Sequence, residues 1–319
     1  MAGSIRASAL AESAAQVFAP SPARRLALDW GTGVGLVLVL AIVALAAGAD
    51  RLAPAGPFVT VGPALAAPSA AHVLGTDDLG RDLLAGIAHG ARTSLVVVAA
   101  VAALTLVLGV SVGALAGFRG GMIDEVLMRG AELVQIVPRF FLAVVVVALF
   151  GPGLDRVVIV LGLTSWPATA RVVRATTQSV EARAFVEAAR GLGASPGRVL
   201  VRHVLPSVLP PAIVVLSLTA GSVILLEAGL SFLGLGDPAR MSWGYLANNA
   251  QRFLRVAWWM AAFPGAAIAA AILGLNLVAD ALTPVGPATR ENERADRRVR
   301  VARSDGGARR LARPDRRAP

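Results

Sequence analysis

Two residue types are absent from this chain: it has no cysteine, and all 30 of its basic residues are arginine, so it has no lysine either. Without cysteine there is no disulfide and no thiolate metal site, and the redox compartment leaves no trace in the sequence. Without lysine the phosphate-binding pattern G-x-x-x-x-G-K-[ST] cannot be built, although Gly75, Gly80, Gly86 and Gly90 sit among polar residues. If ATP drives this protein, another subunit binds it. Histidine is scarce as well, and His72, His89 and His203 show no H-E-x-x-H or comparable metal-binding spacing.

Charge is thin, at 16% of residues, while apolar residues make up 56% and the mean hydropathy is +0.68. That balance points to a bilayer as solvent. The apolar residues are gathered into blocks rather than spread at the period of a soluble core. Gly31 to Ala49, Ser94 to Phe118 and Val256 to Val278 are charge-free runs near or above the ~20 residues that cross a ~30 Å hydrocarbon core. Val208 to Leu235 carries one acid, Glu227; Leu133 to Phe150 is broken by Pro138-Arg139; Val157 to Val173 is short and is followed by Arg174. Six spans are expected. The first run is also readable as a secretory signal, but a signal core is shorter and the flank has no small-residue cleavage site, which favours an uncleaved helix.

Asp280, Glu227 and Asn276 are polar groups in or near apolar runs, where an ionised acid costs about 2.5–3.5 kcal/mol or more. Asp280 and Glu227 fall toward opposite ends of their spans and cannot form a dyad. An intramembrane hydrolase therefore has no acid pair to stand on.

Arginine sets the expected orientation. With the N-terminus inside, 22 arginines fall on the cytoplasmic side and 7 outside, with Arg139 left inside a span. Both termini are then cytoplasmic. The net charge of +10 is owed mostly to the tail from Arg290 onward, which has no aromatic residue for base stacking and reads as a solvated tail near anionic lipid rather than a nucleic-acid site.

Between the fourth and fifth runs lies a polar island. Glu181 to Arg190 suits a helix, Gly191 and Gly193 can end it, and Ser195 is a candidate N-cap with Pro196 at the first position of a second short helix through Arg202. Pro206 and Pro210-Pro211 are expected to reset the chain into the next span. Geometry alone leaves this segment as either a docking knuckle or an ordinary connecting loop.

The run Val186-Glu187-Ala188-Ala189-Arg190-Gly191-Leu192-Gly193-Ala194-Ser195, continuing to Arg202-His203-Val204-Leu205-Pro206, resembles the EAA motif of ABC importer permeases. The general pattern has an apolar residue where His203 stands. Leu74-Gly75-Thr76-Asp77-Asp78-Leu79-Gly80-Arg81-Asp82, with Gly90-Ala91-Arg92-Thr93-Ser94-Leu95 after it, is similar to the external approach to the second helix in dipeptide, oligopeptide and nickel permeases of the C-subunit type. Ile123 to Arg129, Glu227 to Gly236 and Ser242-Trp243-Gly244 add further matches in the family's order, so the resemblance covers the chain from about Asp29 to Asp280.

That resemblance implies an all-α polytopic membrane protein, with six transmembrane helices and a cytoplasmic coupling-helix loop, of the MetI-like type I importer fold. Residues 1–28 and 283–319 are expected to be disordered cytoplasmic tails, 29–93 the first span and an external segment, and 94–282 the permease core. The implied ATPase-coupling residues are Phe185, Glu187, Ala188, Ala189 and Gly193, and the implied contacts for an extracytoplasmic solute-binding protein are Asp78, Arg81 and Trp243. Thr76 or Asp77 capping the following helix, and Trp243, Tyr245 and Trp258-Trp259 forming an interfacial aromatic belt, are the structural alternatives. The implied partners are a homologous permease, two ATPase subunits that hold ATP and Mg, the solute-binding protein and the lipid bilayer of a bacterial inner membrane. This chain is then a transport subunit with no catalytic site, cofactor or metal of its own. Di- or oligopeptides are the expected cargo, with nickel or another small solute as the alternative. An ion-coupled secondary transporter would need midplane ion ligands and transport without an ATPase.

Overall fold

A computed structural model describes residues 30–282, and the expectations for both tails lie outside it. Among the described residues every regular element is helical: α1 Trp30–Ala47, α2 Ala49–Leu52, α3 Leu83–Arg119, α4 Gly121–Ile136, α5 Arg139–Phe150, α6 Leu154–Glu181, α7 Ala184–Gly191, α8 Pro196–Val199, α9 Leu205–Phe232, α10 Trp243–Ala250 and α11 Trp259–Leu282. Five helical segments are long and apolar enough to cross a membrane, and the α4–α5 pair, bent by 73°, makes a sixth span when taken as one.

The bend has a local cause. Pro138 supplies no N–H and disfavours helical backbone in the residue before it, and Val137 accordingly stands at φ −84°, ψ 124°. Pro167, by contrast, sits within an uninterrupted α6. The expected reset at Pro206 does not occur. From Pro196 the chain runs through α8 and a π-helical turn, Leu200–Val204, straight into α9, with Pro206 in the first turn of α9. The wider turn is closed by the Leu205 N–H donating to the Leu200 carbonyl, and it absorbs the donor that proline lacks.

α3 is longer than its apolar run, starting at Leu83, so the expected boundary at residues 93/94 falls inside it. Its first turns are buried by small residues packed against α10: a Cβ at Gly90 would lie 2.9 Å from Trp243 Cδ1, and one at Gly86 3.0 Å from Leu246 Cδ2. Lower down, Gly109, Gly113 and Gly117 face α6. Added Cβ atoms there would approach the Cβ atoms of Thr169, Val173 and Thr177 to 2.7, 2.9 and 2.7 Å. This four-residue spacing lets two backbones touch, the small-residue packing that substitutes for the hydrophobic effect in lipid.

Three apolar clusters follow α3 along its length. At its start Leu83 and Ile87 meet Trp243, Leu246, Trp259 and Met260; midway Val97 and Val101 meet Val147, Leu161 and Val223; at its end Ala114 joins Val173, Val186, Val199 and Val204. The α10 loop and the α7 hairpin therefore occupy opposite ends of the bundle.

Candidate functional site

The α7 hairpin is built by two helix ends. α7 closes with Gly193 at φ +84°, a left-handed conformation that glycine adopts without a Cβ penalty. Gly193 N–H donates to the Arg190 carbonyl at 2.9 Å and Ala194 N–H to the Ala189 carbonyl at 3.0 Å, the paired bonds of a Schellman cap. Ser195 then stands as N-cap residue of α8 with Pro196 following it, as the sequence indicates, although its side chain makes no capping bond.

One face of this hairpin is anchored. Val186 is fully buried in the cluster with Val199 and Val204, worth about 1.5–3 kcal/mol for such a side chain. Arg190 pairs with Glu181 on α6 and lies 5.8 Å from the centre of the Phe118 ring on α3. The other face is bare. Phe185, Glu187, Ala188, Leu192 and Gly193 are exposed, Leu192 at 90%, and Ala189 is half-buried. The Glu187 carboxylate has no hydrogen-bonding or ionic partner among the described residues. The Phe185 ring leans on His203, 6.0 Å between centres, so the polar residue in the EAA-like run supports this face from the π-helical turn. Leu192 was not singled out by sequence reasoning, though its place between two cap glycines marks it as exposed. Arg174 of α6 donates to both carboxylate oxygens of Asp124 on α4 at 2.5 and 2.6 Å, tying these two helices together.

At the opposite end, residues 53–82 fold into a cap. Neither Thr76 nor Asp77 starts α3, which has Asp82 as its N-cap residue. Thr76 is instead the buried centre of the cap, donating to the Pro63 carbonyl at 2.6 Å and accepting from Ala66 N–H at 2.8 Å. Asp77 Oδ1 accepts from the N–H groups of Leu79 and Arg81 at 2.9 and 2.8 Å. Burial pushes the Asp77 carboxyl above its ordinary range, and these two amides offset part of that rise. Asp50, in the short α2, is held below the ordinary range by its hydrogen bonds from Arg92 of α3, at 3.0 and 3.1 Å.

The three sequence-derived contact residues at this end part company. Asp78 and Arg81 remain half-buried, with Asp78 Oδ1 and Arg81 Nε and Nη1 lacking protein partners, and the Arg81 guanidinium lies 5.3 Å from the centre of the Phe58 ring. Trp243 is only 1% exposed, and its Nε1 donates to the Ile87 carbonyl at 3.0 Å. It is a core residue that fills the space left by Gly90, so it serves neither as a surface contact nor in an aromatic belt. Trp259 is likewise buried and donates to the Thr76 carbonyl, whereas Trp258 is 59% exposed.

The polar residues of the spans also separate. Asp280 and Asn276 are exposed on α11. Glu227 is buried, accepting from Ser231 at 2.8 Å and from Ser94 on α3 at 3.3 Å, with the Ser242 hydroxyl also facing it. Nothing in this arrangement resembles a catalytic pair.

Residues 109–285 match the family described as binding-protein-dependent transport system inner membrane component. The chain is 35% identical over 252 residues to the dipeptide transport system permease protein DppC of Alkalihalophilus pseudofirmus, covering 78% of this chain and 83% of that protein. It is 37% identical over 275 residues to the di/tripeptide transport system permease protein DppC of Pseudomonas aeruginosa, covering 82% and 91%. With the oligopeptide transport system permease protein OppC of Bacillus subtilis it shares 37% identity over 216 residues, covering 67% and 71%. Among solved structures, a chain of the inward-facing MetNI methionine ABC transporter matches at 17% identity and a TM-score of 0.47, covering 62% of this chain and 97% of that one. With its helical bundle, bent third span and capped hairpin, this chain belongs to the family of binding-protein-dependent transport system inner membrane components.

Proposed function

We propose that this protein is one half of the translocation path of an ATP-driven importer of di- or oligopeptides. The observation that carries the coupling part of this reading is the bare face of α7, where Phe185, Ala188 and Leu192 lie exposed around an unpaired Glu187 on a hairpin anchored from behind by Val186. A helix held rigidly by its inner face and bare on its outer face can transmit a push into the bundle, here through α6 and α9.

In this reading two ATPase subunits bind ATP and Mg, and one of them seats α7 in its cleft, with Phe185, Glu187, Ala188, Ala189 and Gly193 at the contact. A homologous permease completes the path. A solute-binding protein delivers peptide to the end bearing Thr76 and α10, with Asp78 and Arg81 as contacts. The termini and α7 face the cytoplasm of a bacterial inner membrane, a placement supported by the arginine balance of 22 against 7. Peptide as cargo is supported by the relatives at 35–37% identity, which are dipeptide, di/tripeptide and oligopeptide permeases.

The test is uptake of a labelled tripeptide into proteoliposomes holding this chain, its partner permease, both ATPases and the binding protein. ATP-dependent accumulation is expected. Accumulation that persists without the ATPases, or of nickel but no peptide, overturns the reading.

A further inference from the structure

Arg139 is the arginine that the span assignment leaves within the hydrocarbon layer, and the function proposed above gives it no work. It opens α5 directly after the bend at Pro138, and its Nη1 donates to Ser165 Oγ on α6 at 3.5 Å. Ser165 is eleven residues past the start of α6, so this contact lies ~16 Å down that helix, close to half the depth of a ~30 Å hydrocarbon core.

Other arginines of the bundle have acids: Arg92 has Asp50, Arg174 has Asp124, and Arg190 has Glu181. Among the described residues Arg139 has only the neutral Ser165 hydroxyl, at the long limit of a hydrogen bond. Arg139 is half-buried, and the surface beside it is open, with Pro138 exposed and Ile136 and Phe141 at 71% and 67%. A charge cannot be left toward lipid at this depth without severe cost, so the open side of Arg139 has to meet water or a polar group in the interior of the assembled transporter. The N-terminus of α5 adds the positive end of a helix dipole at the same place.

Resting on the peptide reading, we propose that Arg139 is an anion-recognition site within the translocation path, taking the C-terminal carboxylate of a peptide in transit. A carboxylate is common to all free peptides whatever their side chains, so a single guanidinium can recognise the class. Two parallel N–H donors suit its geometry. Ser165 orients the empty guanidinium without neutralising it, so the charge remains available to the passing anion.

The experiment compares uptake of a tripeptide and of its C-terminal amide in the complete proteoliposome system. Arg139→Gln is expected to lower the carboxylate-to-amide uptake ratio roughly ten-fold, the loss of about one charge-assisted hydrogen bond. Arg139→Lys, which keeps the charge, is expected to retain part of the preference, and Ser165→Ala, which removes only the orienting hydroxyl, to lower it by less than Arg139→Gln does. Equal slowing of both substrates by Arg139→Gln, or a normally assembled Arg139→Lys variant with no preference, overturns the proposal and leaves peptide transport standing. A wild-type system that imports neither peptide removes the peptide reading, and this site falls with it.

Discussion

Ser94 and Glu227, 133 positions apart in the chain, meet across the α3–α9 interface with the serine hydroxyl donating to the carboxylate at 3.3 Å. Ser231 donates to the second carboxylate oxygen from one turn further along α9, and Ser242 approaches from the N-cap of α10. One acid thereby ties two spans to the loop that follows α9. Asn248 and Gln251 reinforce this junction by donating to the Phe232 carbonyl at the end of α9, at 2.6 and 3.2 Å.

The expected consequence is that shape and acceptor atoms at this position matter more than charge. Glu227→Gln keeps an acceptor oxygen and nearly the same volume, so assembly and ATP-driven uptake should persist near wild-type levels. Glu227→Leu strands the hydroxyls of Ser94 and Ser231, each at about 1–3 kcal/mol, and should lower the thermal midpoint and the yield of assembled transporter. A Gln variant that assembles normally yet transports nothing would show that the charge itself is needed.

Much of this fold is legible in the sequence because membrane thickness dictates run length: six apolar blocks announce six spans, and Gly193, Ser195 and Pro196 announce the hairpin at α7. What is not legible depends on distant partners. Trp243 looks like an interfacial aromatic until Gly90 and Ile87, more than 150 positions earlier, are seen to enclose it. The start of α3 is hidden because residues 83–93 include histidine and arginine and lack the uniform apolarity of a lipid-facing run. The repeat Gly109-x-x-x-Gly113-x-x-x-Gly117 is visible, but nothing local reveals that Thr169, Val173 and Thr177 answer it on α6. Pro206 misleads for another reason, since a π-helical turn can absorb the missing donor that sequence rules treat as a break.

The hairpin face gives a prediction that separates docking from folding. Leu192 is 90% exposed, so Leu192→Asp should leave the stability of the purified chain within about 0.5 kcal/mol of wild type. If the leucine is buried by an ATPase subunit, losing about 1.5–3 kcal/mol of apolar burial should weaken co-purification of that subunit roughly ten- to hundred-fold. Gly193 behaves differently. A Cβ there meets nothing within 4 Å, but the backbone stands at φ +84°, so Gly193→Ala should cost about 1 kcal/mol in the hairpin itself. Unaltered ATPase retention by Leu192→Asp, measured by pull-down at matched expression, would move the contact off this face.

The α3–α6 seam should tolerate almost no added volume. A side chain at Gly113 would start 2.9 Å from Val173 Cβ, whereas a Cβ at Gly130 on α4 meets nothing within 4 Å. Gly113→Leu should destabilise by about 1–3 kcal/mol or more through overpacking, and Gly130→Ala should be neutral or slightly stabilising. Thermal unfolding of the two variants in detergent decides the matter, and equal midpoints would contradict the packing.

Orientation can be tested in this cysteine-free chain with single probes. Ser195 in the hairpin and Ala239 in the loop before α10 are both exposed, while Ser242 is only 3% exposed and would report poorly. In intact cells an impermeant thiol reagent should label Ala239→Cys and leave Ser195→Cys unlabelled until the membrane is opened. Labelling of both from outside would reverse the proposed placement of α7.

Asp77 offers a test through pH. Burial raises its carboxyl above the ordinary value, so between the ordinary pKa and the raised one the folded cap holds a proton that the unfolded chain has released. Stability of the cap is therefore greatest at acid pH, falls as pH climbs through that window, and stays at the lower level above it. Asp77→Asn removes the ionisation while keeping an Oδ1 acceptor for the Leu79 and Arg81 amides. The variant should match or exceed wild type at neutral pH and lose the acid-side slope, read by limited proteolysis within residues 53–82 at pH 4 and pH 7. If the variant is cleaved faster than wild type at pH 7, the ionised carboxylate contributes more through its two amide bonds than burial takes away.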